Sequence, residues 1–225
     1  VNDLTYRAVA WTPYIASPEN LRRTDEAVAW TEHQCRETGL PGYLRVPSHA
    51  TSYKQGDGQL ATFARAHEVI TNRGRSGGNG VYLVPMAYPR ELASAMRRAH
   101  TFSLCATEHP AYPLIGWAMI LRAVDLTTGE RTPSTFSSEQ EETLRHMADS
   151  GYNSYGSPPG DRTARWAMAR LAESGLSYAT FFGALMALAP DHADPRQLTR
   201  HLPPTWQHER TKPSADAGTT TGLDW

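Results

Sequence analysis

Lysine is almost missing from this chain: of its 22 basic residues, only Lys54 and Lys212 are not arginine. Cysteine is as sparse. Cys35 and Cys105 are too few for a disulfide framework or a cysteine-based zinc site, and both sit in apolar segments where a thiol packs as a small hydrophobe. No apolar run approaches the ~20 residues of a membrane helix, and no basic-then-apolar series at the N-terminus reads as a signal peptide. The expectation is a cytoplasmic protein without a membrane partner. A net charge of −1 also lacks the strongly basic balance common among nucleic-acid-binding domains, which leaves a local basic face as the only route to a polyanion.

The arginine bias itself has two readings. A GC-rich bacterial genome encodes arginine by default. Alternatively, guanidinium forks serve phosphate or carboxylate recognition, which a lysine point charge does less well.

Along the chain, strand-type and helix-type segments alternate in the first half, which predicts an α/β layer arrangement. Residues 4–11 read as a strand. Ser17-Pro18-Glu19 supplies a cap, a proline and an acidic first turn for a helix that stops at Gly39, with Leu21, Val28 and Cys35 on one stripe. A short strand over 42–46 is followed by a polar loop over 48–58. Leu60, Phe63, Ala64, His67 and Ile70 then recur at helical spacing.

The clearest unit lies between Gly80 and Leu126. The run Val81–Val84 and the run Phe102–Ala106 read as buried strands, and Pro89 opens a helix between them with Leu92, Ala95, Met96 and Ala99 on one face. That β-α-β unit implies a parallel or mixed sheet with a right-handed crossover. Residues 114–124 are apolar nearly all round, predicting a buried helix or a helix that yields to a strand.

Strand signals vanish after Ser137. Ser138 and Glu141 have capping-box spacing; Asp161 and Ser177 read as caps of two more helices, and Asp194-Pro195 opens a last short one. The predicted organisation is therefore an α/β core over 1–135, a helical layer over 136–202 and a disordered tail over 203–225, where composition turns to Pro, Thr, Gly and Asp.

Gly74-Arg75-Ser76-Gly77-Gly78 matches a hydrolase nucleophile elbow in letters only. An elbow needs a strand before it and a helix after it, and here the order is reversed. The same stretch reads better as an anion-binding nest in which converging N–H groups, Arg73, Arg75 and Ser76 meet phosphate, with Arg97 and Arg98 as neighbouring cations. It is not a Walker loop, because it has no lysine and no helix after it.

Glu108-His109 falls just past a predicted central strand, on the edge where α/β sheets collect ligands. Glu108, as holder of a divalent cation or as general base, and His109 as proton carrier would make a catalytic pair. No histidine or cysteine spacing suggests a metal, and no cofactor is assigned.

Three functions are thus open. The first is a module that binds a nucleic acid or nucleotide through the Arg/Gly loop. The second is a hydrolase or transferase built on Glu108 and His109. The third is a scaffold that self-associates as a homodimer through Phe181 and Phe182.

Overall fold

The computed structural model describes residues 6–15, 19–73, 77–99, 102–151, 155–193 and 195–211. Six strands form one sheet: β1 (Ala8–Thr12), β2 (Gly42–Arg45), β3 (Glu68–Ile70), β4 (Val81–Val84), β5 (Ser103–Thr107) and β6 (Val124–Asp125). Their order across the sheet is β3-β2-β4-β5-β1-β6, and every pairing is parallel. The β-α-β unit is β4, α4 (Pro89–Ala99) and β5, with Val84 opposite Ala106 at its carboxyl end.

The central strands are apolar in unbroken runs because both faces are covered, as a parallel sheet requires. Ala10, Leu44, Leu83 and Cys105 point to one face, where α1 (Glu19–Thr38) contributes Ala27 and Val28, and α3 (Gln59–Ala66) contributes Phe63 and Ala64. Val9, Trp11, Tyr82, Val84, Leu104 and Ala106 point to the other, against Leu92 and Met96 of α4 and Trp117 of α5 (Ile115–Leu121).

The C-terminal helices α6 (Ser138–Ser150), α7 (Pro158–Glu173) and α8 (Tyr178–Leu188) share that second core through Leu144, Met168 and Phe181. α5 and α8 cross with their backbones nearly touching. A Cβ on Gly116 would collide with the Thr180 carbonyl, and one on Gly183 would lie 2.8 Å from the Trp117 nitrogen.

Several local expectations shift. The helical spacing over 60–70 ends at Ala66, where His67 turns extended, and Glu68–Ile70 pairs with β2 as a strand. The polar loop over 48–58 contains a helix, α2 (Ala50–Gln55). The capping box sits one residue earlier than expected, on Ser137 and Gln140. Helix α7 begins before Asp161, with Ser157 as its cap and prolines in the first positions. Residues 114–125 follow the second of their two readings, a helix yielding to β6.

Order also extends past residue 203. After α9 (Pro195–Thr199), α10 (Pro204–Thr211) docks because Trp206, 1% exposed, stacks on Phe181 at 4.6 Å between ring centroids and donates its indole N–H to the Leu176 carbonyl. Residues 212–225 lie outside the described residues, as do the cap residues Ser17 and Pro18.

Phe181 and Phe182 are themselves buried in this core, so the apolar face expected to seat a second copy is already covered. Among the described residues no helix is long and apolar enough to cross a membrane.

Candidate functional site

Strand order decides where a ligand fits. From β2 the chain leaves through α2 and α3 toward the sheet edge at β3, on the face of α1; from its neighbour β4 it leaves through α4 in the opposite direction, on the other face. The carboxyl ends of β2 and β4 therefore part at a topological switch, where open α/β sheets leave a crevice. Two of the described non-glycine residues in the left-handed region stand there: His49 after β2, with φ 56°, and Met86 after β4, with φ 46°. Such backbone costs free energy and gathers at functional edges.

A cleft of about 670 Å³ opens at this point, lined by Pro47, Tyr88, Arg90, Glu91, Arg97, Tyr112 and Asp191. Its volume lies in the range of small-molecule sites.

Beneath it runs a chain of polar side chains. Arg45, 7% exposed at the end of β2, donates Nη1–H to the Thr71 carbonyl at 2.7 Å and Nη2–H to Asn72 Oδ1 at 2.6 Å. The Asn72 amide then donates to Oε1 of Glu91, which is 3% exposed in the first turn of α4. Burial pulls the Arg45 pKa down and the nearby Glu91 charge opposes it, while Arg90 and Arg97 add to the lowering. Burial likewise raises the pKa of the Tyr53 phenol of α2, and Tyr88 and Glu91 push it the same way.

One wall of the cleft is aromatic. Tyr88, 38% exposed, lies 4.4 Å from the His109 ring and 5.5 Å from Tyr112. His109 Nδ1 accepts the Ala111 N–H at 3.0 Å, which places the ring proton on Nε2, and burial lowers the pKa of the ring. A neutral imidazole packed among phenols is a stacking surface.

Glu108 has a different setting. Its Oε2 accepts the Tyr14 N–H at 2.7 Å and its Oε1 accepts the Leu114 N–H at 2.6 Å, while its own N–H binds the Thr12 carbonyl at 2.9 Å. It fastens the loop after β1 to the start of α5. Burial raises its pKa, and the Tyr14 and Leu114 donors oppose that rise.

Of the phosphate-binding candidates, Arg97 lines the cleft and pairs with Asp191 from the loop after α8. Arg98 is its exposed neighbour, and exposed Arg73 directly follows Asn72. Arg75 and Ser76 lie outside the described residues. The catalytic candidates reach the cleft only through the His109 ring, by way of Tyr88 and Tyr112.

Sequence reasoning missed Arg45, Tyr88, Arg90 and Glu91. One signal was present: an arginine inside the otherwise apolar strand Tyr43-Leu44-Arg45-Val46 must be buried and bonded. Among the described residues no group of three or more His, Cys, Asp or Glu stands ready for a metal ion.

Fold and cleft together define an open, parallel α/β protein with a switch-point crevice walled by tyrosines and arginines. No protein-family model, curated protein or solved structure matches the chain.

Proposed function

We propose that this chain is a binding module for a phosphate-bearing ligand, a nucleotide or a nucleotide end of a nucleic acid, held in the crevice between β2 and β4. The observation that carries the reading is the pairing of two chemistries in one cleft. Tyr88 and Tyr112 offer ring faces to a base, and Arg90 and Arg97 offer guanidinium forks to a phosphate. Among the described residues no carboxylate pairs with Arg90, while Arg97 is shared with Asp191, which an anionic ligand would displace. Arg73, exposed at the start of the Arg/Gly loop, follows directly on Asn72 of the polar chain below the cleft.

The hydrolase or transferase reading on Glu108 and His109 draws less support, because both Glu108 oxygens are occupied by backbone donors. The self-associating scaffold also draws less, since Phe181 and Phe182 are spent in the core.

The test is isothermal titration of the full chain with ribonucleoside mono- and diphosphates, and anisotropy with labelled single- and double-stranded DNA and RNA, at about 50 and 200 mM salt. Nucleotide binding that weakens with salt and is lost in the Arg90→Ala, Arg97→Ala double variant is expected. No binding at low salt, or undiminished binding by that variant, refutes the reading.

A further inference from the structure

Glu91 is an unusual residue to find in a phosphate cleft. It is buried, it lines the cleft, and its Oε1 takes the Asn72 amide, yet among the described residues its second oxygen has no hydrogen-bond partner. Neither Glu91 oxygen is among the buried atoms left without a partner, so the second oxygen is reachable from the cleft although the rest of the side chain is covered. Its orientation is nevertheless fixed: Arg45 donates only, so it holds the Asn72 carbonyl oxygen, which turns the Asn72 NH₂ toward Glu91 and pins Oε1. The remaining oxygen is therefore held in place and free for a group that enters the cleft.

An ionised carboxylate only accepts hydrogen bonds and repels phosphate. It selects a donor group carried beside the anion. Arg90 and Glu91 lie in the first turn of α4 and Tyr88 directly precedes it, its carbonyl accepting the Leu92 N–H, and a turn rises about 5.4 Å. A ring face, a phosphate fork and an acceptor thus fall within the length of one nucleotide, whose sugar lies between its base and its phosphate.

We infer that Glu91 recognises a sugar hydroxyl and makes this cleft selective for ribonucleotides over 2′-deoxyribonucleotides. The inference rests on the nucleotide reading above and names the determinant of its selectivity. Glu91 is the specificity residue, and Asn72 and Arg45 position it.

The experiment is calorimetric titration of wild-type full-length chain with matched pairs, ADP against 2′-deoxy-ADP and GDP against 2′-deoxy-GDP, repeated for Glu91→Gln, Glu91→Asp and Arg90→Ala. The wild type is expected to prefer the ribonucleotide by about 10- to 100-fold, the factor that a hydrogen bond to a charged group is worth. Glu91→Gln removes the charge, and Glu91→Asp withdraws the oxygen by one methylene while keeping the charge. Each is expected to bring the pair within about threefold, and Glu91→Asp decides the matter if Glu91→Gln does not fold. Arg90→Ala is expected to weaken both members of a pair alike and keep the preference.

Equal wild-type affinity for ribo and deoxy forms overturns the inference and leaves the nucleotide reading standing. A preference that survives in folded Glu91→Gln or Glu91→Asp also overturns it. Failure of the wild type to bind any nucleotide overturns both.

Discussion

Replacing Glu108 by glutamine tests whether the most conspicuous polar residue at the sheet edge is a fastener or a reagent. Its two oxygens accept the N–H groups of Tyr14 and Leu114, at 2.7 and 2.6 Å, and so hold two loops that leave neighbouring strands. Glutamine keeps one acceptor but turns an NH₂ toward the other backbone donor, and an amide nitrogen has no lone pair to offer it. One hydrogen bond is lost and one partly buried N–H is orphaned. Each of these effects is worth about 1–3 kcal/mol, and relief of carboxyl desolvation offsets part of the sum. The net expectation is a loss of about 2 kcal/mol, read as a fall in Tm of roughly 4–8 °C for a domain of this size. Urea unfolding at fixed pH measures it. A change within about 0.5 kcal/mol, the scale of a solvated surface site, refutes the fastener role.

Acidification sharpens the same test. Burial holds the Glu108 pKa above its ordinary 4.5 in the folded chain, so between that value and the folded value the native state binds more protons than the unfolded state. Its contribution to stability therefore falls as pH rises through that window and is larger on the acid side. A protonated carboxyl still has lone pairs on both oxygens for Tyr14 and Leu114, whereas the amide does not. The gap between wild type and Glu108→Gln should thus hold or widen as pH falls from 7 toward 4.5. A gap that closes on acidification would mean that Glu108 stabilises as a charge, and the fastener account would fail.

Two packing predictions follow. Gly116→Ala places a methyl group against the Thr180 carbonyl where α5 crosses α8, and backbone on both sides leaves nothing flexible to yield; a loss of about 3 kcal/mol or more is expected in chemical denaturation, and wild-type stability would refute the close crossing. Trp206→Ala removes a buried indole from Phe181 and from the Leu176 carbonyl, at an expected cost of about 3–5 kcal/mol; a neutral effect would return residues 203–211 to the status of a tail.

How far such features could be read from the sequence depends on whether one segment carries the whole signal. Val81–Val84, Ser103–Thr107 and the helix between them were legible because a strand buried on both faces is written as an unbroken apolar run, and the Leu92, Ala95 and Met96 stripe repeats at helical spacing. β3 was not, since its three residues follow a true helix whose spacing happens to continue to Ile70. Nor was α10, whose order rests on Trp206 meeting partners some 30 residues upstream.

The cleft is the extreme case. Arg45, Asn72, Tyr88 to Glu91, Arg97, Tyr112 and Asp191 share no motif, and each has an ordinary local explanation: Glu91 alone looks like an acid complementing the start of a helix. They converge because β4 lies beside β2 although β3 separates them in the chain. Strand order was not readable from composition or periodicity, so strand-end logic pointed to Glu108 after β5, one strand over from the crevice. The rule that ligands gather at the carboxyl edge names only the edge; choosing a position along it requires knowing where successive crossovers turn away from each other. That makes the β2–β4 parting, with His49 and Met86 strained on its two sides, the place to which the binding experiments are directed.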